Sequence, residues 1–198
     1  MQTNRAVLIV PVIGLLAAAC GSQGADATTS QAPSCAEITA FADRITDVGI
    51  MYDYQPSDSP QDLADDTDVA FAGVLTGGFD EGPSDAAGDE SIAYVAFEIE
   101  VTEVATGETV ATGDVVSVAV DYSPAAVDAD EFEQAIAAGA PVVVFANSTN
   151  DDRGLVAAIE GLMTACTGEA PIGLRGTIGA WTDIQTLDEV LEFGRSDA

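Results

Sequence analysis

Val95, Phe97, Ile99 and Val101 alternate with Ala96, Glu98, Glu100 and Thr102. Successive side chains of a strand point to opposite faces, so this register makes one face apolar and the other largely acidic. A strand over residues 92–104 therefore belongs to an antiparallel sheet with one packed face and one wet face. The same period recurs on both sides. Val69, Phe71 and Leu75 mark a strand over 69–76, and Val116, Val118 and Val120 one over 115–122. "PVVVFA", 141–146, is apolar without interruption and reads as a strand buried on both faces. A fifth strand starts over 155–160. "GGFDEGPSDAAGDE", 77–90, reads as a long acidic loop, and 53–68, with Pro56 and Pro60, as a loop carrying one helical turn.

Helix signals punctuate this order. Ser34-Cys35-Ala36-Glu37 and Thr186-Leu187-Asp188-Glu189 have the capping-box spacing. Ile38, Phe41, Ala42 and Ile45 form one face of the first helix, which ends near Gly49; Leu187, Val190 and Leu191 dock the last. Asp130, Glu131 and Glu133 open a short helix between the third and fourth strands, and Gly139 is expected to close it. The order resembles the OB-fold barrel. The cysteine on the leading helix and the terminal helix also resemble the netrin-module variant of that barrel. The resemblance implies a mostly β domain: a small antiparallel OB-like barrel with N-terminal, inserted and C-terminal helices. In the protease inhibitors of that variant, a free amino-terminal cysteine binds the target's metal. Cys35 follows other residues and offers no free amine, so that activity does not carry over.

Residues 1–19 combine Arg5 with an uncharged, mostly apolar run from Ala6 to Ala19. The run is too short for a membrane span of about 20 residues and fits a signal-peptide core. "GLLAAAC" ends it at Cys20. This stretch resembles the lipobox of bacterial lipoproteins, although Ala17 stands where the family carries leucine and Leu16 lies one place further out. The resemblance implies diacylation of Cys20, membrane attachment through that lipid, and an extracytoplasmic domain. Residues 20–34, rich in Ser, Thr, Ala and Gly, read as a flexible tether, and 35–198 as one globular domain.

Charge narrows the partners. The chain has 34 Asp+Glu against 5 Lys+Arg, for a net charge of −29, with no histidine. Polyanions repel such a surface, so nucleic acid is not a partner. Anionic headgroups repel it too, which leaves the lipid to hold it at the membrane. Scattered acids in a chain that is 47% hydrophobic indicate a carboxylate-covered globular surface, not a disordered polyacid. Such a surface suits a salt-tolerant organism, and the absence of lysine beside abundant Asp and Ala fits a GC-rich bacterial genome.

The remaining chemistry is sparse. Cys35 and Cys166 are an even pair in an exported domain, which favours a disulfide; the alternative, a metal site, lacks histidine and further cysteines. Without histidine, no Ser-His or Cys-His catalytic pair exists. "GLRGTIGAW" repeats glycine at every third position and is not a phosphate loop. Arg153 and Arg175 are expected to pair with carboxylates. Two loops gather oxygen ligands: Asp80, Glu81, Asp85, Asp89 and Glu90 in the first, Asn147, Asn150, Asp151 and Asp152 in the second. Hard oxygens suit Ca²⁺, although the spacing is not that of an EF-hand. The leading expectation is a membrane-anchored, non-enzymatic module that binds an unidentified protein or small ligand or serves the envelope structurally. The alternatives are a calcium-binding module or a carboxylate-dependent hydrolase.

Overall fold

The computed structural model describes residues 32–83, 91–150, 153–174, 181 and 183–195. The elements run α1 (Cys35–Thr46), α2 (Pro60–Asp65), β1 (Val69–Pro83), β2 (Ala93–Thr106), β3 (Val115–Tyr122), α3 (Ala129–Ala135), β4 (Pro141–Ser148), β5 (Leu155–Thr164), β6 (Ile172–Gly173) and α4 (Leu187–Phe193). The domain is mostly antiparallel β, as the alternation demands.

Strands β3, β2, β1, β4, β5 and β6 neighbour one another in that order. A short parallel pairing of β3 with β5, Val118 opposite Leu155 and Ala119 opposite Val156, turns the sheet into a barrel-like ring. This is the OB-like connectivity, with α3 inserted between β3 and β4. Phe71, Leu75, Val95, Phe97, Ile99, Val118, Val120, Val142 and Val144 fill the ring. Complete burial of a large apolar side chain such as Phe71 or Phe97 stabilises by about 1.5–3 kcal/mol. Helix α1 closes one end, where Phe41 meets Phe97 edge-on with ring centroids 5.5 Å apart.

Several local expectations hold. Ser34 and Thr186 each complete a capping box, with Glu37 and Glu189 returning the bond. Others need correction. Strand β1 runs to Pro83 and not to residue 76, because Phe79 through Pro83 pair with Phe97 through Ala93. Helix α3 ends at Ala135, and Gly139 does not close it. Gly139 has φ +90° and donates its N–H to the Leu75 carbonyl at 2.8 Å, so it forms the turn into β4.

The two sides of the ring differ. Outside β1, β4 and β5, a second core packs Ala70, Val143, Phe145 and Met163 beneath Leu63 of α2, Val190 and Leu191 of α4, Trp181 and Ile184. This explains the unbroken apolar run of β4: Val142 and Val144 face the ring, Val143 and Phe145 the second core. Outside β2 and β3 the described residues form a small cluster of Tyr94, Ala96 and Ala119 with Val156, beside exposed Glu98 and Glu100.

Cys35 and Cys166 form a disulfide with Cα atoms 5.2 Å apart. It joins the first residue of α1 to the chain just beyond β5, across 131 positions. Closing so long a loop stabilises by about 4–5 kcal/mol on the chain-entropy account.

Candidate functional site

Between the far end of β1 and the loop from β3 to α3, the ring opens into a cavity of about 440 Å³. Its lining includes Glu81, Tyr122, Asp128 and the apolar side chains of Pro124, Ala125 and Val127. Strand geometry places the first two. Glu81 lies two positions beyond Phe79, on the inward-facing side of β1, where the ring runs out and the side chain reaches water. Tyr122 ends β3 with its ring packed edge-on against Phe132, centroids 5.2 Å apart. Asp128 caps α3 and accepts from the Asp130 N–H at 3.1 Å.

Tyr122 is only 5% exposed. Burial pushes its phenol above the usual tyrosine value, and the negative charges of Glu81 and Asp128 push it the same way. The hydroxyl therefore stays protonated at neutral pH. Behind it, the Arg44 guanidinium stands over the Phe132 ring at 5.3 Å and pairs with Glu131 at 2.7 Å, tying α1 to α3.

The oxygen ligands expected in two loops are not gathered at one point among the described residues. Asp80 and Glu81 lie on β1 itself, not in a loop. β1 and β4 are neighbours, but they pair over Val69–Val74 alone; Asn147 stands beside Asp68 at one end of that ladder, and Asp80 lies beyond its other end. Asn147 is used structurally: its Oδ1 accepts from the Asp68 N–H at 3.2 Å, while the Asp68 carboxylate accepts from the Ser148 N–H at 2.9 Å. Asn150 is exposed. Asp85, Asp89, Glu90, Asp151, Asp152, Arg175 and Cys20 lie outside the described residues. Arg153 meets its expected carboxylate, Asp121, at 3.6 Å. Among the described residues, one set of three or more Cys, Asp or Glu is close enough to share a metal ion: Cys35, Cys166 and Glu169. Both its sulfurs are committed to the disulfide.

Two functional candidates were not singled out from the sequence. Tyr122 reads as an ordinary strand terminus until α3 brings Asp128 beside it. Glu160 is 3% exposed within β5. Its position comes from a bulge: between the pairs Val144–Leu162 and Ala146–Ala157, the single residue Phe145 faces residues 158–161. A side chain at Gly161 would collide with the Phe145 carbonyl, which is why glycine stands there. One Glu160 oxygen accepts from the Ser57 N–H at 2.7 Å, and the Ser57 carbonyl accepts from the Trp181 indole at 3.0 Å. The other carboxyl oxygen is buried without a hydrogen-bond partner among the described residues. A lone acid in the apolar run "LVAAIEGLMT" was the available signal.

Compared with known proteins, the chain matches no family model, no curated protein and no solved structure.

Proposed function

We propose that this protein is a lipid-anchored, extracytoplasmic binding module that catalyses no reaction. The carrying observation is the open mouth of the ring, where Glu81 and Asp128 are both exposed to solvent. A carboxyl that acts as a general acid at neutral pH needs an apolar, desolvated setting to remain protonated. Water-facing carboxylates suit the recognition of a charged or polar group instead. The disulfide supports the location, since such bonds persist in oxidising compartments outside the cytoplasm. The "GLLAAAC" stretch supplies the anchor through Cys20. Two acyl chains hold a protein stably at a bilayer, at about 0.8 kcal/mol per buried CH₂.

The anchor is tested by mass spectrometry of the amino-terminal peptide of the membrane-extracted protein. A diacylglyceryl increment on Cys20, with partition into detergent, is the expected result. Cys20→Ser should leave the precursor unprocessed or release the domain. A mature terminus elsewhere, without lipid, overturns the reading.

A further inference from the structure

We propose that the mouth of the ring binds a primary alkylammonium group between Glu81, Asp128 and the Tyr122 hydroxyl. The site has three parts. Glu81 contributes a carboxylate that no hydrogen bond or ion pair among the described residues engages. Asp128 contributes the acceptor capacity left after its bond to the Asp130 N–H. Tyr122 contributes a hydroxyl on a side chain that is nine-tenths buried and lines the cavity. That hydroxyl has no hydrogen-bond partner among the described residues. Glu81, Tyr122 and Asp128 all line the same cavity.

The chemistry of the occupant follows from this set. Two carboxylates select a cation. An ammonium carries three N–H donors, which matches one oxygen from each of the three residues. Calcium takes 6–8 oxygen ligands, and two carboxylates with a phenol leave that shell largely unfilled. Pro124, Ala125 and Val127 give the cavity apolar walls against which a short alkyl stem can lie, as the stem of a lysine does on a protein surface. The volume of about 440 Å³ exceeds the need of the head group and leaves room for that stem.

This inference rests on the reading of the domain as a binding module but not on the anchor. Loss of acylation leaves it standing, and loss of amine binding leaves the anchor standing. The test titrates n-butylammonium chloride into the full chain in non-ionic detergent at 0.5 M NaCl, with n-butanol as the neutral control. Calorimetry should show one site for the amine, with a Kd in the range of about 1 mM open to a ligand of this size, and none for the alcohol. Glu81→Gln and Tyr122→Phe should each weaken binding by about tenfold, the scale of one lost hydrogen bond to a charged group. Asp128→Asn keeps the helix cap and should weaken it similarly. Melting temperatures of the three variants verify folding. An independent readout is the tyrosine absorbance of the folded protein at neutral pH: bound ammonium should give a difference spectrum, and Tyr122→Phe should remove it. A lysine peptide that competes with the amine assigns the source to a partner protein; free amine bound with the peptide excluded assigns it to a small molecule. Binding abolished by the salt, or unchanged by Tyr122→Phe, overturns the site in favour of a diffuse acidic surface. Calcium bound more tightly than the amine and displacing it overturns the ligand class.

Discussion

The outer side of β1, β4 and β5 and the outer side of β2 and β3 are surfaces of one ring built to opposite rules. On the first, Ala70, Val143, Phe145 and Met163 lie beneath two short helices and Trp181. On the second, Glu98 and Glu100 face water, and the apolar content is a cluster of Tyr94, Ala96, Ala119 and Val156. Covered β surface adds stability through burial. Bare β surface with acids adds solubility and repulsion. A buried carboxyl, Glu160, sits on the covered side, where one of its oxygens has no hydrogen-bond partner among the described residues; the exposed acids of β2 sit where water solvates them. The placement of charge, more than its amount, separates the two sides.

The comparison breaks first if the covered side is not a true core. Phe145→Ala should cost about 3–5 kcal/mol, the usual range for truncating a fully buried phenylalanine. Chemical denaturation measures it through the midpoint at constant slope. A loss under 1 kcal/mol would mean that α2, α4 and Trp181 merely rest on the sheet.

Salt should act mainly through the bare side and the rest of the acidic surface. With a net charge of −29, the folded chain repels itself. The melting temperature is expected to rise clearly between low salt and about 1 M NaCl, where the Debye length shrinks to roughly 3 Å. A flat response would show that the carboxylates are already too well spaced to matter.

Glu160→Gln sharpens the contrast from the other direction. Glutamine keeps an acceptor for the Ser57 N–H and replaces a buried carboxyl oxygen that has no partner among the described residues with an amide that cannot ionise. Stability at neutral pH should rise by about 1 kcal/mol, since burying charge without full hydrogen bonding is costly. A decrease of that size would reveal that the protein compensates the negative charge. The smallest effect belongs to the bare side: Glu100→Gln should change stability by no more than about 0.5 kcal/mol, as exposed positions free of special contacts do. Thermal melts of this variant beside Phe145→Ala give the comparison in a single measurement series.

Local rules made much of this fold legible in advance. The alternation around Phe97 has a period of two, so it assigned the inner and outer faces of β2 before any partner strand was known. Ser34 with Glu37, and Thr186 with Glu189, mark helix starts through bonds that span three residues. Cys35 and Cys166, the two cysteines left once Cys20 is set aside, are paired by their parity, and the structure joins them. Tertiary structure alone decided four things: the extension of β1 to Pro83, the parallel closure of β3 on β5, the separation of Asp80 from Asn147, and the meeting of Glu81, Tyr122 and Asp128. Glycine and acid in "GGFDEGP" signal a loop, and cross-strand pairing with residues 93–97 overrides that preference. The mouth is assembled from residues far apart in the chain, and their distances follow from ring closure. The sequence therefore determined what each strand buries, because burial pattern is written at spacings of two to four residues. Which carboxylates stand beside which phenol depends on how the strands meet, and only packing the whole ring decides that.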